Sequence, residues 1–148
     1  MQESWKILRK NDRRLALCLL FALKADRQIL VDIFSLAIEL ENAIRIPSDI
    51  TLAEIRLQWW HDALANDALV EVPVIRAMQA HISAARISRD ELLALIALWK
   101  SRTNGKNVTA DDCHAGCWQL AAELTCGANF IGLADTIARH YYSENDSA

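Results

Sequence analysis

Two cysteines and a histidine stand close together in the last third of the chain. Cys113, His114 and Cys117, with Cys126 beyond them, are side chains of the kinds that bind zinc. On a helix Cys113 and Cys117 lie one turn apart on the same side, whereas His114 points well away from both. Free cysteines are also among the commonest residues of protein cores. We therefore expect these side chains to be buried packing residues, and we assign no metal ligand.

The remaining histidines do not extend this cluster. His61, His81 and His140 are far apart in the sequence, and none accompanies a nucleophile motif. They are predicted to pack at the surface or at helix ends, and no catalytic residue is assigned.

Composition favours one compact helical domain. The chain has 148 residues, 53% of them hydrophobic, and a formal net charge of -3. This is about the size of one ordinary domain, so we expect a single domain over residues 1–142 and a polar tail over 143–148. Acids and bases are mixed along the chain, without a basic stripe that could neutralise phosphates, and we expect no nucleic-acid partner.

The N-terminal region is basic and then apolar. Lys6, Arg9, Lys10, Arg13 and Arg14 precede an apolar run over residues 15–23. The run lacks a small-residue cleavage site and is far shorter than a membrane span, so it favours a buried helix over a signal peptide. The four scattered cysteines are predicted to be reduced and mostly buried. We expect a cytoplasmic protein, with association to a membrane surface left open.

Apolar residues recur at spacings of three and four, and only four glycines and two prolines interrupt the chain. The sequence therefore predicts an all-α bundle of about six or seven helices. The first should run from after Asp12 to Leu23. The second should be capped by Asp26 and end before Pro47, and the third should open with a capping box of Thr51 and Glu54.

Later helix boundaries follow from similar signals. Pro73 predicts the start of a fourth helix, and Ser88 with Glu91 predicts a capping box at the start of a fifth. Thr109 should cap the sixth helix, and the last should follow Gly127. Their predicted apolar faces comprise Val74, Met78, Ile82 and Ala85, then Leu92, Leu95, Ile96 and Trp99, then Cys113, Cys117, Leu120 and Leu124, and finally Phe130, Leu133, Ala134, Ile137 and Tyr141.

The predicted third helix carries a tryptophan pair. On a helix Trp59 and Trp60 lie about 100° apart and cannot both face one core. We expect Trp59 to pack between helices; for Trp60, packing and exposure to a groove or partner surface are equally open. The helix should also present a solvated face with Glu54, Arg56, Gln58 and Asp62, including a Gln58–Asp62 pair. The predicted apolar stripe comprises Leu52, Ile55, Trp59 and Ala63.

This helix resembles a motif of the squalene/phytoene synthase family. The residues that match the family's tryptophan block are Leu52, Ile55, Arg56, Leu57, Trp59, Trp60 and Leu64, while His61 stands where the family usually has arginine. A weaker likeness continues from Glu91 to Leu124, and it includes the segment TADDCHAGCWQLAAEL. The resemblance implies a partial isoprenoid (terpenoid) synthase-like bundle.

In that family, two aspartate-rich helices hold Mg²⁺ against the diphosphate of a prenyl donor, and carboxylates are the ligands that this ion prefers. The resemblance places the first motif at Glu41, Asn42 and Arg45. Asparagine is a poorer ligand than aspartate, and the positive charge of Arg45 should repel the ion. The second motif is expected downstream of the residues present here, so half of the diphosphate clamp should be missing.

The resemblance therefore implies a non-catalytic relative, closest in look to a branch that includes a respiratory complex I assembly factor. Its partner would be an apolar lipid or isoprenoid, or a protein, and homo- or hetero-oligomers are expected. The alternative is an Mg²⁺-dependent prenyl transferase completed by a second chain or dimer, and only this alternative requires a cofactor. The candidate binding residues are Glu41, Asn42, Arg45, Arg56 and Trp60.

Overall fold

A computed structural model describes the backbone of residues 2–127 and 131–146, and the side chains of residues 3–127 and 134–143. This part of the chain forms eight α-helices and no β-strand, so the all-α prediction is confirmed, with more helices than the six or seven expected. In chain order they are α1 Gln2–Asn11, α2 Arg13–Leu19, α3 Lys24–Arg45, α4 Ile50–Ala65, α5 Pro73–Ser83, α6 Arg89–Thr103, α7 Ala110–Cys126 and α8 Ile131–Asp146.

Helix α1 precedes the first predicted helix. Its Leu8 side chain is fully buried, and the Ser4 carbonyl accepts a hydrogen bond from the Ser35 hydroxyl of α3 at 2.7 Å. A helix of ten residues is marginal by itself in water and depends on such packing. These tertiary contacts have no local signal in the sequence, which explains why the helix was not predicted.

Helix α2 starts where it was predicted, after Asp12. The Asp12 carboxylate caps the helix by accepting a hydrogen bond from the Leu15 amide at 2.9 Å. The helix ends at Leu19, however, and not at Leu23. The prediction of one buried helix through residue 23 is therefore wrong.

The turn after α2 is held by an arginine of α3. The Arg27 guanidinium donates hydrogen bonds to the carbonyls of Leu20 at 2.7 Å and Ala22 at 3.1 Å. The first bond satisfies the carbonyl of the α2 C-cap residue, and the second satisfies a carbonyl in the turn itself. The turn directs Phe21 and Leu23 outward, with 91% and 74% of their surfaces exposed.

Helix α3 is the centre of the bundle. It packs against α1, α2, α4, α5, α6 and α7, and its buried residues include Asp32 and Ser35 as well as an apolar set. Leu23 occupies the N-cap position, so the prediction that Asp26 caps this helix is wrong; Asp26 lies in the first turn. The helix ends at Arg45, before Pro47, as predicted.

Helix α4 begins one residue before the predicted capping box. Asp49 is the N-cap, and its carboxylate accepts a hydrogen bond from the Thr51 amide at 2.9 Å. The predicted box of Thr51 and Glu54 is therefore wrong, because an acceptor two residues upstream already satisfies that amide.

The remaining helix starts agree with the sequence. Pro73 lies in the first turn of α5, and Ser88 forms the predicted capping box with Glu91 at the start of α6. Thr109 caps α7 and also forms a capping box with Asp112. Helix α8 includes residues 143–146, which the sequence assigned to the tail.

The predicted core faces are confirmed in most of the later helices. Leu92, Leu95, Ile96 and Trp99 of α6 are all buried, but Ala85 lies in the turn after α5 and Ile137 is 43% exposed. Phe130 and the side chain of Leu133 lie outside the described residues. None of the described helices combines the length and apolar character needed to cross a bilayer.

Candidate functional site: the cleft between α3 and α4

Glu41 is the first residue of the acidic motif that the resemblance implied. Its carboxylate accepts hydrogen bonds from the Arg102 guanidinium at 2.9 and 2.8 Å, one to each oxygen, and from the Trp99 indole N–H at 3.1 Å. Both donors belong to α6, and the carboxylate is 23% exposed. The His114 Nε2 atom lies 3.8 Å from the same carboxylate. Glu41 thus ties α3 to α6.

This arrangement does not fit a magnesium ligand. The ion would have to displace a guanidinium that already neutralises the carboxylate and contacts both of its oxygens. Among the described residues, no group of three or more histidine, cysteine, aspartate or glutamate side chains converges in a geometry suited to a metal ion.

The next motif residues lie on a different side of α3. Asn42 lines an open cleft of about 390 Å³ between α3 and α4, together with Arg56 and Trp60. A second cleft of about 430 Å³ shares Glu39, Asn42 and Ile46 with the first and is also lined by Arg45. The structure therefore brings four of the five predicted site residues together along one groove, whereas Glu41 faces α6. We call the two clefts together the α3–α4 groove.

Charged and amide side chains form most of the second cleft, whereas the walls of the first cleft are mainly apolar. Ile46, Ile55 and Trp59 line it, and they expose 63%, 60% and 44% of their surfaces. Cationic side chains surround the groove: Arg45 donates a hydrogen bond to the Asn42 side chain at 3.1 Å, and Arg56 forms no ion pair with a described residue. The groove is large enough for a small ligand by the usual range of pocket volumes.

The structure exposes the tryptophan that was expected to pack, and buries the one whose position was left open. Trp60 is 7% exposed and packs in the core, whereas Trp59 is 44% exposed, so the prediction that Trp59 is packed between helices is wrong. Their rings meet edge to face, with centroids 5.6 Å apart. The core face of α4 comprises Ala53, Leu57, Trp60, Ala63 and Leu64, which places Leu52, Ile55 and Trp59 outside it.

The predicted polar pair on α4 is confirmed. The Gln58 side-chain amide donates a hydrogen bond to the Asp62 carboxylate at 2.7 Å. Both residues are exposed, and together with Arg56 they form a solvated surface.

Glu39 is a groove residue that the sequence analysis missed. It is half-buried, lines both clefts, and makes no hydrogen bond or ion pair with a described residue. Burial raises its pKa. A sequence signal did exist: Glu39, Asn42, Ala43 and Ile46 follow helical spacing on one face, while Glu41, two positions after Glu39, points to the opposite side.

The cysteine and histidine cluster has the packing role that was expected. Cys113 and Cys117 are buried, and burial raises the pKa of the Cys113 thiol to about 12 and that of Cys117 still further. Thiols of this kind are poor nucleophiles. His114 stacks on Tyr142, with ring centroids 4.2 Å apart.

The prediction that the four cysteines are mostly buried is wrong for the other two. Cys18 and Cys126 are exposed, and all four cysteines are free thiols.

A buried acid–histidine pair was also missed. His81 Nε2 lies 2.8 Å from the Asp32 carboxylate, which also accepts a hydrogen bond from Gln28 at 2.7 Å. Burial alone would raise the pKa of Asp32, but the hydrogen bonds from His81 and Gln28 hold it below its ordinary value. His81 lies in the last turn of α5, which agrees with the predicted helix-end position. It is buried and not at the surface, because the pair joins α3 to α5 inside the bundle.

Comparisons of the chain with protein-family models, with curated proteins and with solved structures found no match.

Proposed function

We propose that this chain is a non-catalytic relative of the squalene/phytoene synthases that binds an isoprenoid or another apolar chain in the α3–α4 groove. The observation that carries the proposal is the contact between Glu41 and Arg102. Glu41 is the best magnesium ligand of the first motif, and its oxygens already accept hydrogen bonds from a cation of α6. A prenyl-transfer reaction at this position would lack the Mg²⁺ that neutralises the leaving diphosphate.

Apolar exposure supports a ligand in the groove. Ile46, Ile55 and Trp59 line the first cleft and expose apolar surface to solvent. Covering such surface stabilises a complex by roughly 25 cal/mol for each Å² removed from water. A flexible hydrocarbon chain can adapt its conformation to an open apolar cleft of this size.

Charge supports an anionic end group on that chain. Arg45, Arg56 and Lys10 stand around the two clefts, and Glu39 is the acid among their lining residues. A phosphate or carboxylate at one end of the ligand would be attracted to these cations. The apolar part would then lie against Ile55 and Trp59.

The family assignment in this proposal is supported by the tryptophan block of α4. Trp60 packs in the core and Arg56 lines the groove. Residues of the matched motif therefore both pack α4 against the bundle and face the proposed ligand. Either a lipid or an apolar protein surface could bind against the apolar side chains of the groove. The surrounding cations favour a lipid with an anionic end group over a protein.

Calorimetric titration with farnesol and with farnesyl monophosphate tests the proposal. We expect saturable binding of both compounds, tighter for the phosphate. Trp59→Ala should weaken binding by at least about tenfold, because truncating an exposed tryptophan anchor commonly costs a large part of the binding free energy. Arg56→Gln should weaken binding of the phosphate more than that of the alcohol.

Leu69→Ala is the matched control, since Leu69 is fully exposed outside the groove. It should leave both dissociation constants unchanged. If neither compound binds, or if Trp59→Ala and Leu69→Ala bind alike, the groove is not the ligand site.

A further inference from the structure

The exposed turn after α2 has no role in the proposed ligand groove. Besides Phe21 and Leu23, it exposes Leu20, and Leu17 is exposed on the preceding helix, at 45% and 52% respectively. We call Leu17, Leu20, Phe21 and Leu23 the apolar tip. Four large apolar side chains are thus exposed within seven consecutive positions, and Leu17 and Leu20 also line one cleft. Clustered exposed apolar side chains mark interaction surfaces.

The apolar tip is held in this exposed position. In addition to the bonds from Arg27, Arg86 donates a hydrogen bond to the Ala25 carbonyl at 2.8 Å and pairs with Asp26 at 3.2 Å. These contacts fix the start of α3 directly after the turn. The apolar side chains therefore point outward from a constrained backbone.

Two arginines lie beside the tip. Arg9 and Arg13 line a cleft of about 250 Å³ together with Trp5, Leu17 and Leu20. Neither arginine forms an ion pair or a side-chain hydrogen bond with any residue that the structure describes. Guanidinium groups hold phosphate oxygens well, and tryptophan is enriched where a protein meets the interface of a bilayer.

Charge is unevenly distributed along the chain, and the basic part is the N-terminal region that contains Arg9, Arg13 and the apolar tip. Residues 1–27 carry seven lysines and arginines against three acids, whereas the rest of the chain carries nine against sixteen. The chain as a whole is acidic, so this basic N-terminal region is the part suited to an anionic surface.

We propose that the apolar tip and the Arg9–Arg13 cleft dock the protein onto the surface of an anionic phospholipid membrane. The lipid phosphates would lie at Arg9 and Arg13, and Phe21 and Leu23 would enter the boundary between head groups and acyl chains. Apolar insertion together with electrostatic attraction is the usual combination for reversible surface binding. This inference is independent of the ligand in the α3–α4 groove.

Vesicle co-sedimentation tests the inference. The full chain should bind vesicles of phosphatidylcholine containing about a third phosphatidylglycerol, and bind vesicles of phosphatidylcholine alone much more weakly. Binding should fall as salt is raised, because salt screens exposed charges. Phe21→Ser with Leu23→Ser should lower the partition coefficient by at least about tenfold, and Arg9→Gln with Arg13→Gln by a similar factor.

Matched control variants test whether the loss of binding is specific to this surface or follows from any loss of exposed apolar side chains or positive charge. Leu69→Ser changes a fully exposed apolar residue elsewhere, and Arg76→Gln with Lys106→Gln removes the same total charge from exposed positions elsewhere. Both controls should bind as the unmodified chain does. Because the substituted side chains at the tip are exposed, circular dichroism should show the same helix content in every variant.

Three results would overturn the inference. They are the absence of binding to the anionic vesicles, equal losses in the control and tip variants, and a dimer in sedimentation that dissociates when Phe21 and Leu23 are replaced. The last result would assign the tip to a second copy of this chain.

Discussion

Asp32 and Glu41 both lie on the central helix α3, and each connects it to another helix. Asp32 reaches His81 of α5, and Glu41 reaches Arg102 of α6. Asp32 is fully buried and Glu41 is partly buried. Removing the partner of a buried carboxylate leaves that carboxylate without compensation, which is costly in a low-dielectric interior. Both carboxylates thus stabilise the bundle whose surface carries the groove.

Asp32→Asn should lower the free energy of unfolding at neutral pH by about 1–3 kcal/mol, because it removes a charge-assisted hydrogen bond inside the bundle. The pKa of folded Asp32 is depressed, so its stabilising effect is present above the unfolded-state value of about 3.9 and is lost as pH falls through the folded-state pKa. The difference from the unmodified chain should therefore narrow on acidification below about pH 4. Urea unfolding followed by circular dichroism at several pH values measures this.

Glu71→Gln is the control for that experiment, since the Glu71 side chain is 92% exposed and pairs with Arg76 at the surface. It should change stability by less than about 0.5 kcal/mol. A difference between Asp32→Asn and the unmodified chain that grows on acidification would contradict the assigned pKa direction.

Asn42, Arg45, Arg56 and Trp60 were named as candidate site residues from the family resemblance, and the structure places all four along the α3–α4 groove. The sequence could not supply the partner of Glu41. Arg102 is 61 positions away, and no spacing rule relates residues that meet only through the packing of α3 against α6. The same limit applies to Asp32 and His81, which are 49 positions apart.

Helix starts depend on local hydrogen bonds, and those of α2, α5, α6 and α7 were predicted correctly, whereas the predicted caps of α3 and α4 were wrong. Ser88 and Thr109 were identified as caps because a side-chain acceptor and an acid three positions later are a local signature. The end of α2 was missed because it is set by Arg27 from the following helix. The exposed face of α4 was misassigned because the side chains of Ile55 and Trp59 are as apolar as those of its core face.

Ser88→Ala should destabilise the protein by about 1 kcal/mol, since it removes the hydroxyl that accepts the Glu91 amide at the start of α6. Urea denaturation should show a lower midpoint with an unchanged slope. Ser48→Ala, at an exposed position outside any helix, should differ from the unmodified chain by less than about 0.5 kcal/mol. Equal effects of the two substitutions would contradict a capping role for Ser88.

Helix α1 connects the two surfaces of the whole molecule. Its Lys6 and Lys10 line the α3–α4 groove, while its Arg9 lines the cleft beside the apolar tip. The sequence analysis identified this segment as basic but predicted no helix there. The positions of its cations at the two surfaces therefore could not be predicted. An apolar-chain ligand and a membrane surface would both be served by cations from this one short helix.

We propose that the α3–α4 groove binds its ligand without a metal-dependent reaction. Calorimetric binding of farnesyl diphosphate, combined with an assay for released inorganic diphosphate, tests this proposal. We predict the same dissociation constant with Mg²⁺ and with a chelator, the same constant in Glu41→Gln, and no release. Binding that requires Mg²⁺, with diphosphate release that the chelator and Glu41→Gln both abolish, would contradict the account.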